Sequence, residues 1–185
     1  TATARTVHQS FLRVVGDAVP EVTAIDLDLD GVRLTGRLLT RAGQVAESHF
    51  GRVGPKHLAA AWVRQLALTV QHGRRTDAVL VGDRGTRRLL APPPDMAAQF
   101  LSDLLTLAGH GTERVLPMPP RVAQFWVEQR YRGLEPRDDP DQLARLWRWD
   151  RDAVWKLWYP GERTPWATRR EADDPWGGPG EDTVL

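Results

Sequence analysis

The chain has no cysteine, two lysines (Lys56 and Lys156), two tyrosines and two methionines among its 185 residues. Without a thiol there is no disulfide framework, no thiolate zinc site and no cysteine nucleophile, which suits a reducing compartment and leads to the expectation of a cytoplasmic protein. Long apolar runs are missing too, since no stretch approaches the roughly 20 residues needed to span a bilayer. No charged-then-apolar leader stands at the beginning, so neither signal peptide nor membrane partner is expected. Charge of one sign is absent as well: 25 basic against 24 acidic residues leave a formal net charge of +1. That balance and a 41% apolar content describe an ordinary globular chain.

Two residue types are abundant. With only two lysines, 23 of the 25 basic side chains are arginine. A G+C-rich coding sequence accounts for this most simply, and bidentate recognition of phosphate or carboxylate is the functional alternative. Tryptophan is the other: seven of the eight lie after residue 125, so the last third has large amphipathic side chains to place in a core or an interface. Up to Phe125 there are fifteen basic and eleven acidic residues, and after it ten and thirteen. The front is therefore mildly basic and the rear mildly acidic, and no period of 20 to 50 residues signals a repeat architecture.

Val7, Phe11, Val14, Val15 and Ala18 recur at helical spacing and predict a helix from Ala4 to Val19, stopped by Pro20. Val22 to Asp30 alternates Ile25, Leu27 and Leu29 with aspartates, as a half-buried strand does, and Asp30-Gly31 predicts a type I′ hairpin turn. Val32 to Leu39 and, after Ala42-Gly43, Gln44 to Phe50 complete an expected three-stranded antiparallel meander. A helix from His57 to Gln71, apolar around most of its circumference, ends at His72-Gly73. Asp77 to Val81 reads as a central strand, turned by Arg84-Gly85 toward another at Thr86 to Ala91. Helices follow from Asp95 to Ala108, with Met96, Phe100, Leu101, Leu104, Leu105 and Ala108 on one face and Gly109 as the stop, from Pro120 to Arg132, and from Pro140 to Trp158.

The order helix, three strands, helix, strand predicts an α/β fold with an αβββαβ core, a mixed sheet and further C-terminal helices; it resembles that of restriction-endonuclease-like nucleases of the PD-(D/E)XK type, although order alone fits several α/β folds. Three domain segments are expected: an α/β core over residues 1–110, a helical extension packing on it over 111–160, and a loop or tail over 161–185.

Leu34-Thr35-Gly36-Arg37-Leu38, then the run Gly54-Pro55-Lys56-His57-Leu58-Ala59-Ala60-Ala61-Trp62-Val63 with Leu66-Ala67-Leu68, resembles the C-terminal domain of the RecC family, the gamma chain of exodeoxyribonuclease V. Glu171-Ala172-Asp173-Asp174-Pro175-Trp176 resembles that family's Gly-Glu-x-Asp-Asp-Pro-aromatic segment, and the likeness spans about Val22 to Trp176. The resemblance implies part of a longer subunit. It further implies a nuclease-like domain that has lost its active site and serves DNA repair and recombination by holding RecB-like helicase-nuclease and RecD-like helicase subunits and guiding DNA.

That loss can be tested on the residues. A nuclease of this type needs an Asp on the second core strand and a (D/E)-x-K on the third, because Mg²⁺ takes carboxylate oxygens and the Lys orients the attacking water. Related RecB-type nucleases carry Gly-x-Ile-Asp on the second strand, whereas Gly36-Arg37-Leu38 is followed here by Leu39. On the third strand the nearest fit is Glu47-Ser48-His49, with His for Lys. RecB-type nucleases also carry Gln-x-x-x-Tyr on the next helix; here Gln65 matches and Thr69 replaces the Tyr. Gln65 reads equally well as a remnant of that motif or as a hydrogen-bonded core amide. Leu39, Glu47, His49 and Gln65 are thus degenerate positions, and neither a catalytic residue, a metal ligand nor a cofactor is expected.

Asp26, Asp28 and Asp30 share a strand face, but the alternation with Ile and Leu explains them as a solvated face. The five histidines show no paired metal spacing, and no phosphate-loop or Gly-x-Ser-x-Gly string is present. Val79 to Gly85 lacks the following helix that a dinucleotide turn requires. Arg41, Arg52, Lys56, Arg74, Arg75, Arg84, Arg87 and Arg88 fall in or near turns; a solvated surface accounts for them most simply, and sequence-blind DNA-phosphate contact is the functional alternative for which they are the candidates. On a helical wheel Leu143, Leu146, Trp147, Ala153, Val154, Leu157 and Trp158 form one stripe, with Asp150 inside it. Trp149 and Trp155 fall outside the stripe beside Arg148 and Arg151, and are the candidates for facing a partner protein. Two other readings are kept: an active Mg²⁺-dependent exonuclease using Glu47 with an aspartate of 26–30, and a stand-alone interaction domain.

Overall fold

The computed structural model describes residues 2–113, 119–134 and 140–150. The chain falls into two compact units, Thr1–Arg114 and Val115–Leu185.

The first unit opens with α1 (Ala2–Val15), whose buried stripe is Val7, Phe11 and Val15. The helix ends earlier than its apolar spacing predicts, because Gly16 turns left-handed at φ 59° and its N–H closes on the Leu12 carbonyl at 2.8 Å. Val14 is accordingly exposed. Strands β1 (Pro20–Leu29) and β2 (Val32–Arg41) pair antiparallel from Leu29↔Val32 to Pro20↔Arg41. Their turn is the predicted one, with Asp30 at φ 52° and Gly31 at φ 82°, and Asp28 Oδ1 accepts the Gly31 N–H at 3.0 Å. Ile25, Leu27 and Leu29 are buried while Asp26 and Asp28 are exposed, as the alternation requires.

The meander does not form. Ala42 (φ 49°) and Gly43 (φ 70°) reverse the chain, and Arg41 and Gln44 exchange one pair of backbone hydrogen bonds. Beyond that bridge β3 (Val45–Ser48) pairs in parallel with β4 (Ala78–Gly82), in register Val45↔Ala78 to Ser48↔Val81. A four-residue strand has few N–H groups to place, and these are satisfied best beside the fully buried β4. β5 (Gly85–Leu89) pairs antiparallel with β4 and forms the edge, giving a three-stranded mixed sheet in the order β3-β4-β5.

The parallel pair is connected by α2 (Pro55–His72), which starts with Pro in its first turn and stops where Gly73 adopts φ 62°, as His72-Gly73 predicts. α3 (Pro94–Glu113) runs through Gly109, which is helical here and so does not act as the expected stop. Its buried stripe is also rotated: Ala97 and Leu101 are buried, Phe100, Leu104 and Leu105 are half-buried, and Met96 and Ala108 are exposed. One core joins Ile25, Leu27 and Leu29 to Leu66 and Leu68 of α2, Leu80 of β4 and Leu101 of α3. Another joins Val79 and Val81 to the stripe of α1. Successive β4 residues therefore face opposite helical layers, which is why that strand reads as a continuous apolar run.

In the second unit α4 (Pro120–Tyr131) and α5 (Pro140–Asp150) pack through Val122, Phe125, Leu143 and the fully buried Trp147, with Trp126 and Leu146 at the margin. The predicted stripe of α5 is thus present as far as it is described. Its continuation to Trp158, Trp155 and the segment 161–185 lie outside the described residues.

Candidate functional site

Strand β3 sends Glu47 toward α2 and its neighbours Ala46 and Ser48 to the opposite side, by simple alternation. One Glu47 oxygen, Oε1, accepts a hydrogen bond from Arg64 Nη1 of α2. The other, Oε2, lies 3.3 Å from His49 Nε2, close enough for an ion pair but not aligned as a hydrogen bond. The His49 ring lies against that of His57, with centroids 4.3 Å apart and planes tilted by 31°. His57 in turn closes the start of α2: its Nδ1 accepts the Gly54 backbone N–H at 3.1 Å, a capping role that requires this nitrogen to be unprotonated. Burial, with smaller effects from His49 and Lys56 outweighing the opposite pull of Glu47, holds the His57 imidazole below its ordinary 6.5.

This cluster contains the Glu47 and His49 that the sequence reading sets against a (D/E)-x-K motif, and its chemistry runs against metal binding. Mg²⁺ asks for about six oxygen ligands, whereas the carboxylate here is shared between a guanidinium and an imidazole. Among the described residues no group of three or more His, Asp or Glu is placed to hold a metal ion. Leu39, which the sequence reading sets at the position of a metal-binding Asp, pairs with Val22 on the outer face of the hairpin, and both are exposed (64% and 67%). Gln65 is fully buried; its Nε2 donates to the Leu89 carbonyl at 2.7 Å, while its Oε1 finds no partner among the described residues. Its position is that of a core amide tying α2 to β5. The three aspartates are each engaged. Asp26 takes two hydrogen bonds from Arg33, at 2.8 and 2.7 Å, which lower its pKa; Asp28 holds the turn; Asp30 accepts from Ser102 Oγ at 2.8 Å. His57 and Arg64 belong to the cluster yet carry no sequence signal, since their spacing from Glu47 matches no motif.

The eight basic candidates do not form one surface. Arg41 is structural: Nη1 donates to the Ala18 carbonyl at 2.7 Å and its guanidinium lies 5.4 Å from the Phe11 ring centroid. Arg88 is held by Asp77, donating from Nε at 3.1 Å with Nη2 also at 3.1 Å, while the other Asp77 oxygen accepts the Ala91 N–H at 2.9 Å. Arg74 and Arg75 sit between α2 and β4, with Arg74 beside Gly43. Arg84 is in the β4–β5 turn at the opposite end of β4, where the neighbouring Asp83 N–H bonds the Gly51 carbonyl of the loop that bears Arg52, and Arg87 follows on β5 opposite Leu80. In the second unit Trp149 is 65% exposed and lies under the Arg121 guanidinium at 5.8 Å.

The family model for the RecC C-terminal domain matches residues 1–131, more than two thirds of the sequence. The chain belongs to the RecC C-terminal domain family. The RecBCD enzyme subunit RecC of Mycobacterium tuberculosis, in strains H37Rv and CDC 1551 / Oshkosh, is 33% identical over 120 residues, covering 60% of this chain and 11% of the relative. That of Mycolicibacterium smegmatis is 33% identical over 130 residues, covering 65% and 12%. The chain thus spans about a ninth of the length of these curated RecC relatives. The RecC match takes in the whole first unit and α4, and so both the Glu47 cluster and the basic residues at the two ends of β4. No helix among the described residues is long and apolar enough to cross a membrane.

Proposed function

We propose that this chain is a catalytically inactive, nuclease-like scaffold domain of a RecC-type subunit acting in double-strand break repair and recombination. The observation that carries the reading is the Arg64–Glu47 pair: a family member keeps a carboxylate at the expected catalytic position and ties it to a guanidinium. The order α1-β1-β2-β3-α2-β4, with β3 and β4 parallel and joined by α2, supports a PD-(D/E)XK-type core over residues 1–110, followed by a helical extension over 111–160. In this reading the domain sits in the cytoplasm, holds RecB-like and RecD-like subunits and contacts DNA. Trp149 is a partner-facing residue on that extension, because an exposed Trp beside an Arg suits a contact core. An exonuclease built on Glu47 would require displacing Arg64, and the aspartates of 26–30 are already engaged.

Coexpression of the subunit carrying this chain with RecB-like and RecD-like subunits tests the proposal. The subunits are expected to copurify, and the 185-residue chain alone is expected to leave linear DNA intact in Mg²⁺ and Mn²⁺. Degradation by the chain alone, or failure to copurify, would overturn it.

A further inference from the structure

Of the eight candidate cations, Arg41 and Arg88 have a carbonyl or carboxylate partner and the other six, Arg74 and Arg75 included, have none among the described residues; four of these six lie toward one end of the sheet. Arg52, Lys56, Arg84 and Arg87 are exposed and unpaired among the described residues, whereas Arg41 and Arg88 are committed to structural contacts. Their backbone is firmly held. The loop bearing Arg52 is tied to β4 by His49 N–H to the Val81 carbonyl at 2.8 Å and by Asp83 N–H to the Gly51 carbonyl at 3.2 Å. It packs so closely that a Cβ on Gly82 would lie 2.8 Å from the Gly51 oxygen. The loop then feeds α2, whose first turn has Lys56 and no acidic residue. A cation at the positive end of a helix opposes the helix dipole and contributes nothing to folding there; a bound anion would reverse that penalty. Asp83 is the adjacent acid, and the group stays net positive with it.

Building on the reading above, we infer that the end of the sheet formed by the β3–α2 loop, the start of α2 and the β4–β5 turn is a sequence-blind grip on a nucleic-acid phosphate backbone, made by Arg52, Lys56, Arg84 and Arg87. Guanidinium forks suit phosphate oxygens, and side chains on pinned loops lose less freedom on binding than side chains on mobile ones. Phe50, 69% exposed in the same loop as Arg52, adds an aromatic face for base stacking, which tolerates any sequence. Arg74 and Arg75 lie past the far end of β4, about 13 Å away by strand rise, and are outside the grip.

Anisotropy titration of fluorescein-labelled duplex and single-stranded DNA with the 185-residue chain, across a salt series, reads this directly. Each phosphate contact adds about 0.9 to the log–log salt slope on duplex. Arg52→Ala with Arg84→Ala should lower the slope by about 2 and weaken all sequences alike, while Arg74→Ala with Arg75→Ala should leave slope and affinity unchanged. The two labelled DNAs distinguish a duplex track from a single-strand track. An unchanged slope in the first variant, an equal loss in the second, or no binding by the parent chain would overturn the grip. Each of those results leaves the scaffold reading standing, because copurification with helicase subunits tests that separately.

Discussion

Arg64, in the middle of α2, donates a hydrogen bond to Glu47 on β3, across a separation of seventeen residues in the chain. The pair joins the helix to the strand that the proposed nuclease-like reading makes the counterpart of a catalytic strand. Arg64 is 45% exposed and Glu47 23%, so the link contributes about 0–1 kcal/mol to stability, in the range of surface ion pairs. Its larger effect is electrostatic, since a guanidinium at the carboxylate stands where a divalent cation would have to approach.

Among the glycines of the first unit from Gly16 to Gly109, Gly82 leaves an added Cβ the least room. An added methyl would meet the Gly51 oxygen at 2.8 Å and Val53 Cγ2 at 2.9 Å, and both belong to a loop hydrogen-bonded in place. Gly82→Ala is expected to cost about 1–3 kcal/mol in urea denaturation, as overpacking does. Gly36→Ala, in β2 with nothing within 4 Å, serves as the control and is expected to be neutral or slightly stabilising.

Acidification should loosen the start of α2. Burial lowers the His57 pKa below 6.5 in the folded protein, so the native state binds this proton less readily than the unfolded chain. The stability it contributes is complete above about pH 6.5 and is lost as the pH falls through the folded value. Protonated Nδ1 also ceases to accept from Gly54 N–H, a cap worth roughly 1 kcal/mol. His57→Gln retains an acceptor that does not titrate, so urea midpoints at pH 5 and pH 7.5 should differ less in the variant than in the parent chain.

In the helical unit burial separates two neighbouring tryptophans. Trp147 is fully buried against Val122, Phe125 and Leu143, whereas Trp149 is 65% exposed. Trp147→Ala should therefore cost about 3–5 kcal/mol, and Trp149→Ala no more than about 1 kcal/mol, the worth of an exposed cation–π contact. Thermal melts followed by circular dichroism check both values.

Legibility followed the range of the interaction. The Asp30-Gly31 turn, the alternation of β1 and the Gly73 stop of α2 are local, and their residue chemistry alone predicts them. The pairing of β3 is not local: four residues cannot specify whether they continue a hairpin or join a parallel strand thirty residues later, and burial beside β4 decides it. Gly109 misleads because a glycine stops a helix only where it turns left-handed, as Gly16 does and Gly109 does not. In the candidate site, Leu39, Glu47 and His49 are legible as departures from a motif. What neutralises Glu47 is not, since Arg64 is brought to it by α2 packing on the sheet. The basic residues read alike in sequence, and only the contacts of Arg41 with Ala18 and of Arg88 with Asp77 separate structural arginines from free ones.

The central claim is that Glu47 performs no catalysis, and nuclease activity of the assembled helicase complex tests it most directly. With Glu47→Ala in the subunit carrying this chain, Mg²⁺-dependent degradation of linear DNA is expected to proceed at the parental rate. A loss of that activity of a hundredfold or more, with the complex still assembled, would contradict the account.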